Sequence, residues 1–142
     1  MKKTAVVTGG ASGIGFAICE SFMKEGFDIV MIDADREALY WAEGSLPGVN
    51  PRLCDLADAA ALERTVRDIR ETFPSVDVLV NNAVDARFKP MSEISLDEWN
   101  RALAVNLTAP FLLAKRFEQK LRAAKGSIVN IASTRALMSE PD

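Results

Sequence analysis

A glycine-rich turn near the N-terminus constrains the fold of this chain more than any other feature. Before it, Ala5-Val6-Val7-Thr8 is a short apolar and β-branched run that predicts a strand buried on both faces. After it, a helix is predicted from about Ser12. A glycine turn at a helix N-terminus exposes unpaired N–H groups at the positive end of the helix dipole, so the stretch predicts an anion site, with phosphate the obvious anion. The stripe expected to pack this helix on the sheet consists of Ile14, Ala17, Ile18 and Phe22.

The glycines of this turn have separable predicted roles. Gly9 allows the tight turn, Gly13 leaves space for a pyrophosphate, and Gly15 lets the helix pack closely on the strand. Asp33 lies 24 residues beyond Gly9 at the end of a second apolar run, where a carboxylate can accept hydrogen bonds from both hydroxyls of an adenosine ribose. This context predicts a dinucleotide site; the alternative is that the glycines only make a tight turn.

Asp33 also bears on the choice of dinucleotide. A carboxylate about 4 Å from a 2′-phosphate would repel it by about 1 to 4 kcal/mol. NAD is therefore favoured over NADP. Arg36 is the opposing feature, because a guanidinium close after Asp33 can bind a 2′-phosphate.

The rest of the chain alternates strand and helix patterns, which is typical of a doubly wound α/β fold. Parallel strands joined by right-handed crossovers predict the sheet order 3-2-1-4-5, with helices on both faces and the ligand at the carboxyl ends between strands 1 and 4. The further predicted strands are residues 27–32, 52–54, 76–80 and 127–131, and residues 132–142 are predicted to be irregular.

Three further helices are predicted, of which the first spans residues 35–42. The second is expected to end at Pro74, and its buried face consists of Leu62, Val66, Ile69 and Phe73.

The last predicted helix is the longest. It begins at a capping box formed by Ser95 and Glu98 and continues to about Ala124. Pro110 is expected to bend it unless the helix is already irregular near Asn106. Its apolar stripe consists of Trp99, Leu103, Leu107, Phe111 and Leu112.

Length and composition narrow the class of protein. The 142 residues predict a single domain, and a net charge of −3 gives no basic surface for nucleic acid. Cys19 and Cys54 form neither a disulfide framework nor a metal-ligand spacing, and the chain has no histidine, so no metal site is predicted. Both cysteines are expected to be buried in a reducing compartment. No apolar segment is long enough for a signal peptide or a membrane span, so we expect a cytoplasmic protein without a membrane partner.

The segment Thr8-Gly9-x-x-x-Gly13-Ile14-Gly15 resembles the nucleotide-binding signature of the short-chain dehydrogenase/reductase family. The related nucleotide-sugar epimerases usually carry T-G-x-x-G-x-x-G, and Ser12 disfavours that branch. The resemblance implies that residues 1–142 are an NAD(P)-binding Rossmann domain, incomplete in its C-terminal part. It also implies hydride transfer between the nicotinamide cofactor and a small-molecule alcohol or ketone.

Two short motifs extend the resemblance to the adenosine end of the cofactor. Asp55-Leu56 is similar to the family's acidic-apolar pair that holds adenine, although Asp55 is also a plausible N-cap for the next helix. Asn81-Asn82-Ala83 resembles the family's N-N-A-G, in which the second asparagine steadies the threonine of the glycine turn. Val84 departs from the family glycine, and a valine here removes φ freedom and adds a branched side chain near the nicotinamide side.

The family's catalytic residues match two positions. Asn106 resembles the asparagine whose carbonyl binds a water of a proton relay, and Ser133 resembles the serine that hydrogen-bonds the substrate carbonyl. Without the resemblance, Asn106 would be a buried polar residue bonding its neighbours and Ser133 an ordinary strand-end serine. The predicted cofactor-binding residues are Gly9, Ala11, Ser12, Gly13, Ile14, Gly15, Asp33, Asp55, Leu56, Asn81, Asn82 and Ala83.

In the family a Tyr-x-x-x-Lys pair follows the serine, and this sequence contains one tyrosine, Tyr40, far from the predicted site. We therefore expect the chain alone to be a poor or inactive catalyst. The resemblance covers the N-terminal half of a usual member, so the fifth strand and the long helix are expected to expose apolar surface. Either the chain is a piece of a longer enzyme or it self-associates, and a homo-oligomer is expected.

Two alternative functions remain open at this point. One is a non-catalytic dinucleotide-binding sensor or assembly module. The other is a methyltransferase, in which the glycines and Asp33 would bind adenosylmethionine, but this reading gives Asn106 and Ser133 no role.

Overall fold

The computed structural model describes residues 2–86, 89–134 and 137. Its centre is a five-stranded parallel sheet in the order β3-β2-β1-β4-β5, as predicted. The strands are β1 (Thr4–Thr8), β2 (Asp28–Asp33), β3 (Asn50–Leu53), β4 (Val78–Asn81) and β5 (Ser127–Asn130). The helices are α1 (Gly13–Lys24), α2 (Arg36–Ser45), α3 (Ala59–Thr72), α4 (Leu96–Leu103) and α5 (Ala109–Ala124), with a 3₁₀ turn at Met91–Glu93 and a π-helical turn at Ala104–Thr108.

Both faces of the central strands are covered, which explains their continuous apolar runs. All five residues of β1 are buried. Alternate side chains enter two cores, so that Val6 lies with α3 and α5 and Val7 lies with α1 and α2. The predicted face of α3 is confirmed, because Leu62, Val66 and Ile69 are buried and Phe73 caps the helix C-terminus.

Helix starts follow the side chains that cap them. Asp35 and Asp58 each accept two backbone N–H groups at the starts of α2 and α3. The capping box of Ser95 and Glu98 forms at α4 as predicted. The edge strand β3 starts earlier than predicted and contains Pro51, which an edge strand tolerates because one side of it pairs with no strand.

The stripe predicted for α1 is wrong in part. Ile14 is 65% exposed and Ala17 is also exposed, whereas Gly15 and Cys19 form the buried face. At Gly15 the helix approaches Gly9 and Asn82 so closely that this position must face inwards, and Ile14 is then rotated about 100° away. The close approach of the glycine turn therefore overrides the apolar periodicity.

The apolar stripe predicted for the long helix lies at the surface, in keeping with the apolar exposure expected of this helix. Its members Trp99, Leu103, Leu107 and Phe111 are all exposed, and Leu112 is half-buried. The residues that pack into the core are instead Val105, Ala109, Leu113, Phe117 and Leu121. The predicted irregularity near Asn106 is confirmed, since the π-helical turn precedes Pro110 and joins α4 to α5.

No helix in the described part of the chain is long and apolar enough to cross a membrane. Most of the stretch predicted to be irregular after Ile131 lies outside the described residues.

Candidate functional site

A cleft of about 520 Å³ opens at the carboxyl ends of the strands. It lies beside β1 and β4, where the strand order reverses and where ligands of doubly wound sheets bind. Its walls come from the glycine turn, from the ends of β2, β3 and β4, and from α4. The lining residues that were predicted from the sequence are Gly9, Ser12, Gly13, Ile14, Asp33, Asp55, Leu56, Asn82 and Ala83.

The glycine turn has the geometry that an anion site requires. Gly9 and Gly13 have φ of 61° and 52°, a region that side chains disfavour. A Cβ on Gly15 would lie 1.9 Å from the Gly9 carbonyl oxygen, whereas a Cβ on Gly13 would meet nothing within 4 Å. Ser12 makes no side-chain cap at the N-terminus of α1, so the first-turn N–H groups are left to an anion.

The Asp33 carboxylate is tied to the backbone on both sides. One oxygen accepts the Ala11 N–H at 3.1 Å and the other accepts the Asp35 N–H at 3.1 Å. Each carboxylate oxygen has a second lone pair, so both oxygens can still accept a ribose hydroxyl. Ala11 is buried and acts here by fixing Asp33 rather than by lining the cleft.

The loop after β4 is locked to the glycine turn. The Thr8 hydroxyl oxygen accepts the N–H groups of Asn82 at 3.0 Å and Ala83 at 3.1 Å. The Asn82 side-chain amide donates to the Thr8 and Gly9 carbonyls at 3.1 and 3.0 Å. Asn81 differs, because its amide donates to Asn130 on β5 and it lies outside the cleft lining.

An arginine that the sequence patterns did not single out completes the wall near Asp55. Arg101 on α4 donates two hydrogen bonds to the Asp55 carboxylate, at 2.9 and 3.2 Å, and its Nε lies 2.9 Å from an Asp85 carboxylate oxygen. The pKa of Asp55 is lowered, mainly because its carboxylate accepts hydrogen bonds from Arg101. No sequence signal distinguishes this arginine from other charges on an exposed helix face.

The two predicted catalytic residues lie at the same end of the sheet. Asn106 is in the π-helical turn, where its Oδ1 accepts the Asp85 N–H at 2.8 Å and its Nδ2 donates to the Asp85 carbonyl at 2.9 Å. Ser133 is exposed just after β5. Val84 is 72% exposed and lines both the cleft and a neighbouring groove that includes Asn106.

The sequence matches the profile of the short chain dehydrogenase family over residues 3–142. The chain belongs to the short-chain dehydrogenase family. It is 41% identical to an uncharacterized oxidoreductase of Thermotoga maritima, a match that covers 99% of this chain and 57% of that protein. It therefore spans little more than half the length of this relative.

Solved structures of short-chain dehydrogenases share the fold. A SCOR enzyme from Clostridium thermocellum in its apo form superposes with a TM-score of 0.92 at 37% identity, over 100% of this chain and 58% of that one. The L-sorbose reductase of Gluconobacter frateurii, complexed with NADPH and L-sorbose, superposes with a TM-score of 0.88 at 33% identity, over 96% of this chain and 54% of that one. The relatives thus share the sheet that carries the cleft.

Proposed function

We propose that the cleft binds a nicotinamide dinucleotide and that the chain is part of an oxidoreductase acting on small-molecule alcohols or ketones. The glycine turn carries this proposal: Gly13 leaves open space in front of uncapped N–H groups at the start of α1. When bound, the nicotinamide supplies or accepts the hydride. The chain's own residues bind, orient and shield this cofactor.

Each predicted residue has a role in the proposal. The first turn of α1 holds the diphosphate, Asp33 holds the adenosine ribose, and Asp55 with Leu56 holds adenine. Asn82 and Ala83 support the ribose through Thr8, and Asn81 braces β4 against β5. Ser133 donates a hydrogen bond to the substrate carbonyl, and Asn106 holds a water of the proton relay.

We propose NAD as the preferred cofactor, because Asp33 lies where a 2′-phosphate would be repelled. The L-sorbose reductase that binds NADPH shows that the same fold also accepts the phosphorylated cofactor. In this chain Arg36 is exposed at the start of α2, where it is the residue best placed to offset the repulsion.

The experiment is calorimetric titration of the wild type and of Asp33→Asn with NADH and NADPH. Asparagine removes the charge and keeps one oxygen, which can accept the N–H of either Ala11 or Asp35 but not both. The wild type should bind NADH at least about tenfold more tightly, and the variant should lose most of this preference. Asp68→Asn, which alters an exposed carboxylate paired with Arg52, is the matched control. An unchanged NADH preference in Asp33→Asn would remove the basis for choosing NAD.

No tyrosine of this sequence lies in the cleft to act as the general acid. The sequence has a single tyrosine, Tyr40, which lies on α2 and is 81% exposed outside the cleft. Without a positioned proton donor, carbonyl reduction loses about two to four decades in rate. We propose that these residues bind the dinucleotide with little turnover, which also keeps a non-catalytic binding module as the second candidate. Fast NADH oxidation by this chain with any ketone would contradict that expectation.

We also propose that the protein is a homo-oligomer and that it is cytoplasmic. The exposed apolar stripe from Trp99 to Phe111 supports a homo-oligomer. Cys19 and Cys54 are unpaired and buried, which supports a reducing, cytoplasmic environment.

A further inference from the structure

Arg101 on α4 lines the cleft and contacts segments that follow two different strands. It reaches Asp55 after β3 and Asp85 after β4. In the order β3-β2-β1-β4 these strands are three positions apart, or roughly 14 Å at the usual spacing between strands. The guanidinium therefore connects the two sides of the cleft, which are separated by the ends of β2 and β1.

The hydrogen bonds at Asp55 leave one acceptor position for a ligand. Oδ1 accepts the Ala57 N–H at 3.0 Å and an Arg101 N–H at 3.2 Å, and Oδ2 accepts a second Arg101 N–H at 2.9 Å. A carboxylate has about four lone-pair sites, so a single site on Oδ2 is left. Because Asp55 lines the cleft, the Arg101 fork fixes both the rotation of the carboxylate and the position of its remaining acceptor.

Asp85 anchors the other side of the guanidinium. Its side chain is only 11% exposed and lies 2.9 Å from the Arg101 Nε, while its backbone holds both ends of the Asn106 carboxamide. Arg101 cannot turn away from Asp55 without also leaving Asp85. The arrangement holds the carboxylate in one orientation before any ligand arrives, which reduces the ordering cost of binding.

We infer that Arg101 is a positioning residue that aims the Asp55 carboxylate at the exocyclic amine of adenine and so selects adenine over other purines. The inference rests on the proposed function, because it assumes that a dinucleotide occupies the cleft. Adenine carries an amine donor at the position where hypoxanthine carries a carbonyl acceptor. An aimed carboxylate accepts a hydrogen bond from the first and repels the second.

The test compares NADH with reduced nicotinamide hypoxanthine dinucleotide in calorimetric titrations of wild type, Arg101→Met and Arg101→Lys. The wild type should favour NADH by about tenfold, and Arg101→Met should reduce this ratio by about three- to tenfold. Lysine keeps the charge but lacks the planar fork, so Arg101→Lys should lose most of the ratio as well. It also serves in place of Arg101→Met if that variant fails to fold. A purely structural role of Arg101 would weaken both dinucleotides equally and leave the ratio unchanged.

Arg116 provides a matched control away from the cleft. Its guanidinium on α5 also contacts both oxygens of a carboxylate, that of Glu63 on α3. The exposures of the two pairs are nearly equal: the side chains of Arg116 and Glu63 are 40% and 43% exposed, and those of Arg101 and Asp55 are both 42% exposed. Arg116→Met should leave the ratio at the wild-type value.

The outcomes separate this inference from the proposed function. Failure of the wild type to bind either dinucleotide would contradict the proposed function itself. Tight binding of NADH with no preference over the hypoxanthine analogue, or a preference unchanged in both Arg101 variants, would overturn the inference and leave the proposed function standing.

Discussion

Gly15 is the residue at which backbone geometry most tightly restricts the side chain. A Cβ there would lie 1.9 Å from the Gly9 carbonyl oxygen and 2.6 Å from the Asn82 amide nitrogen. The Gly9 contact is to backbone, so the turn would have to move. Gly15→Ala should lower the free energy of unfolding by about 1 to 3 kcal/mol, measured by urea denaturation, and should also weaken NADH binding.

Gly44 is the control for this substitution. It lies within α2, and a Cβ there would meet no atom within 4 Å. Gly44→Ala should therefore be neutral or stabilising by up to about 1 kcal/mol. Equal effects of the two substitutions would show that close packing does not explain Gly15.

Individual residues differed in how far the sequence could predict their contacts. The contact of Asn82 with Thr8 follows from the family motif, and the structure shows it in two hydrogen bonds. The two contacts of Arg101 could not be predicted. Asp55 lies 46 residues before it in the chain, and only the folded sheet brings them together.

At the scale of elements, the π-helical turn places Asn106 against the loop after β4. The Asn106 side chain holds both backbone groups of Asp85. Asn106→Ala removes both bonds at an exposed site, so we expect a loss of about 1 kcal/mol in stability. Hydrogen exchange of the Asp85 amide should become about five- to tenfold faster, while that of Ala57, which is bonded to Asp55, should not change. Unchanged exchange at Asp85 would show that Asn106 does not hold the loop.

A carboxylate at the start of α4 should make the stability of the fold decrease at acidic pH. The Lys89 ion pair, followed by the hydrogen bonds from Ser95, lowers the pKa of Glu98 from 4.5 to about 2. Because the folded-state pKa is depressed, this contribution to stability is fully present above about pH 4.5 and is lost as the pH falls towards 2.

Glu98→Gln keeps the capping box but removes the charge. The difference in unfolding free energy between wild type and Glu98→Gln should be largest near pH 6 and should shrink steadily below pH 4.5. Lys89→Met should remove most of this pH dependence, because Lys89 is the main cause of the shift. A difference that stays constant from pH 6 to pH 3 would contradict the assignment.

Elements were predicted better than the faces they bury. The order of strands and helices followed from turn residues, caps and runs of β-branched residues, all of which act locally. The buried face of α1 did not follow from its apolar periodicity. The close contact at Gly15 decides which side of α1 faces the sheet.

At the scale of the whole molecule, apolar surface remains exposed along α4, the π-helical turn and α5. Leu107 is 65% exposed and Phe111 is 61% exposed. Ile128 on the edge strand β5 is 44% exposed and lines a groove together with Leu107 and Phe111. Adjacent apolar side chains of this size favour self-association.

Sedimentation should therefore show an oligomer that dissociates on dilution. Phe111→Gln should raise the dissociation constant by about tenfold or more, because aromatic side chains dominate such contacts. Met91→Gln alters a side chain that is 87% exposed in the 3₁₀ turn and should have no effect. A strictly monomeric wild type at high concentration would contradict the prediction.

The proposed function requires that a dinucleotide diphosphate binds where β1 turns into α1. A crystal structure of this chain with NADH would locate the diphosphate. We predict the diphosphate within hydrogen-bonding distance of the N–H groups at the start of α1, with the adenosine ribose on Asp33. NADH bound at another surface while this cleft stays empty would contradict the proposed dinucleotide site.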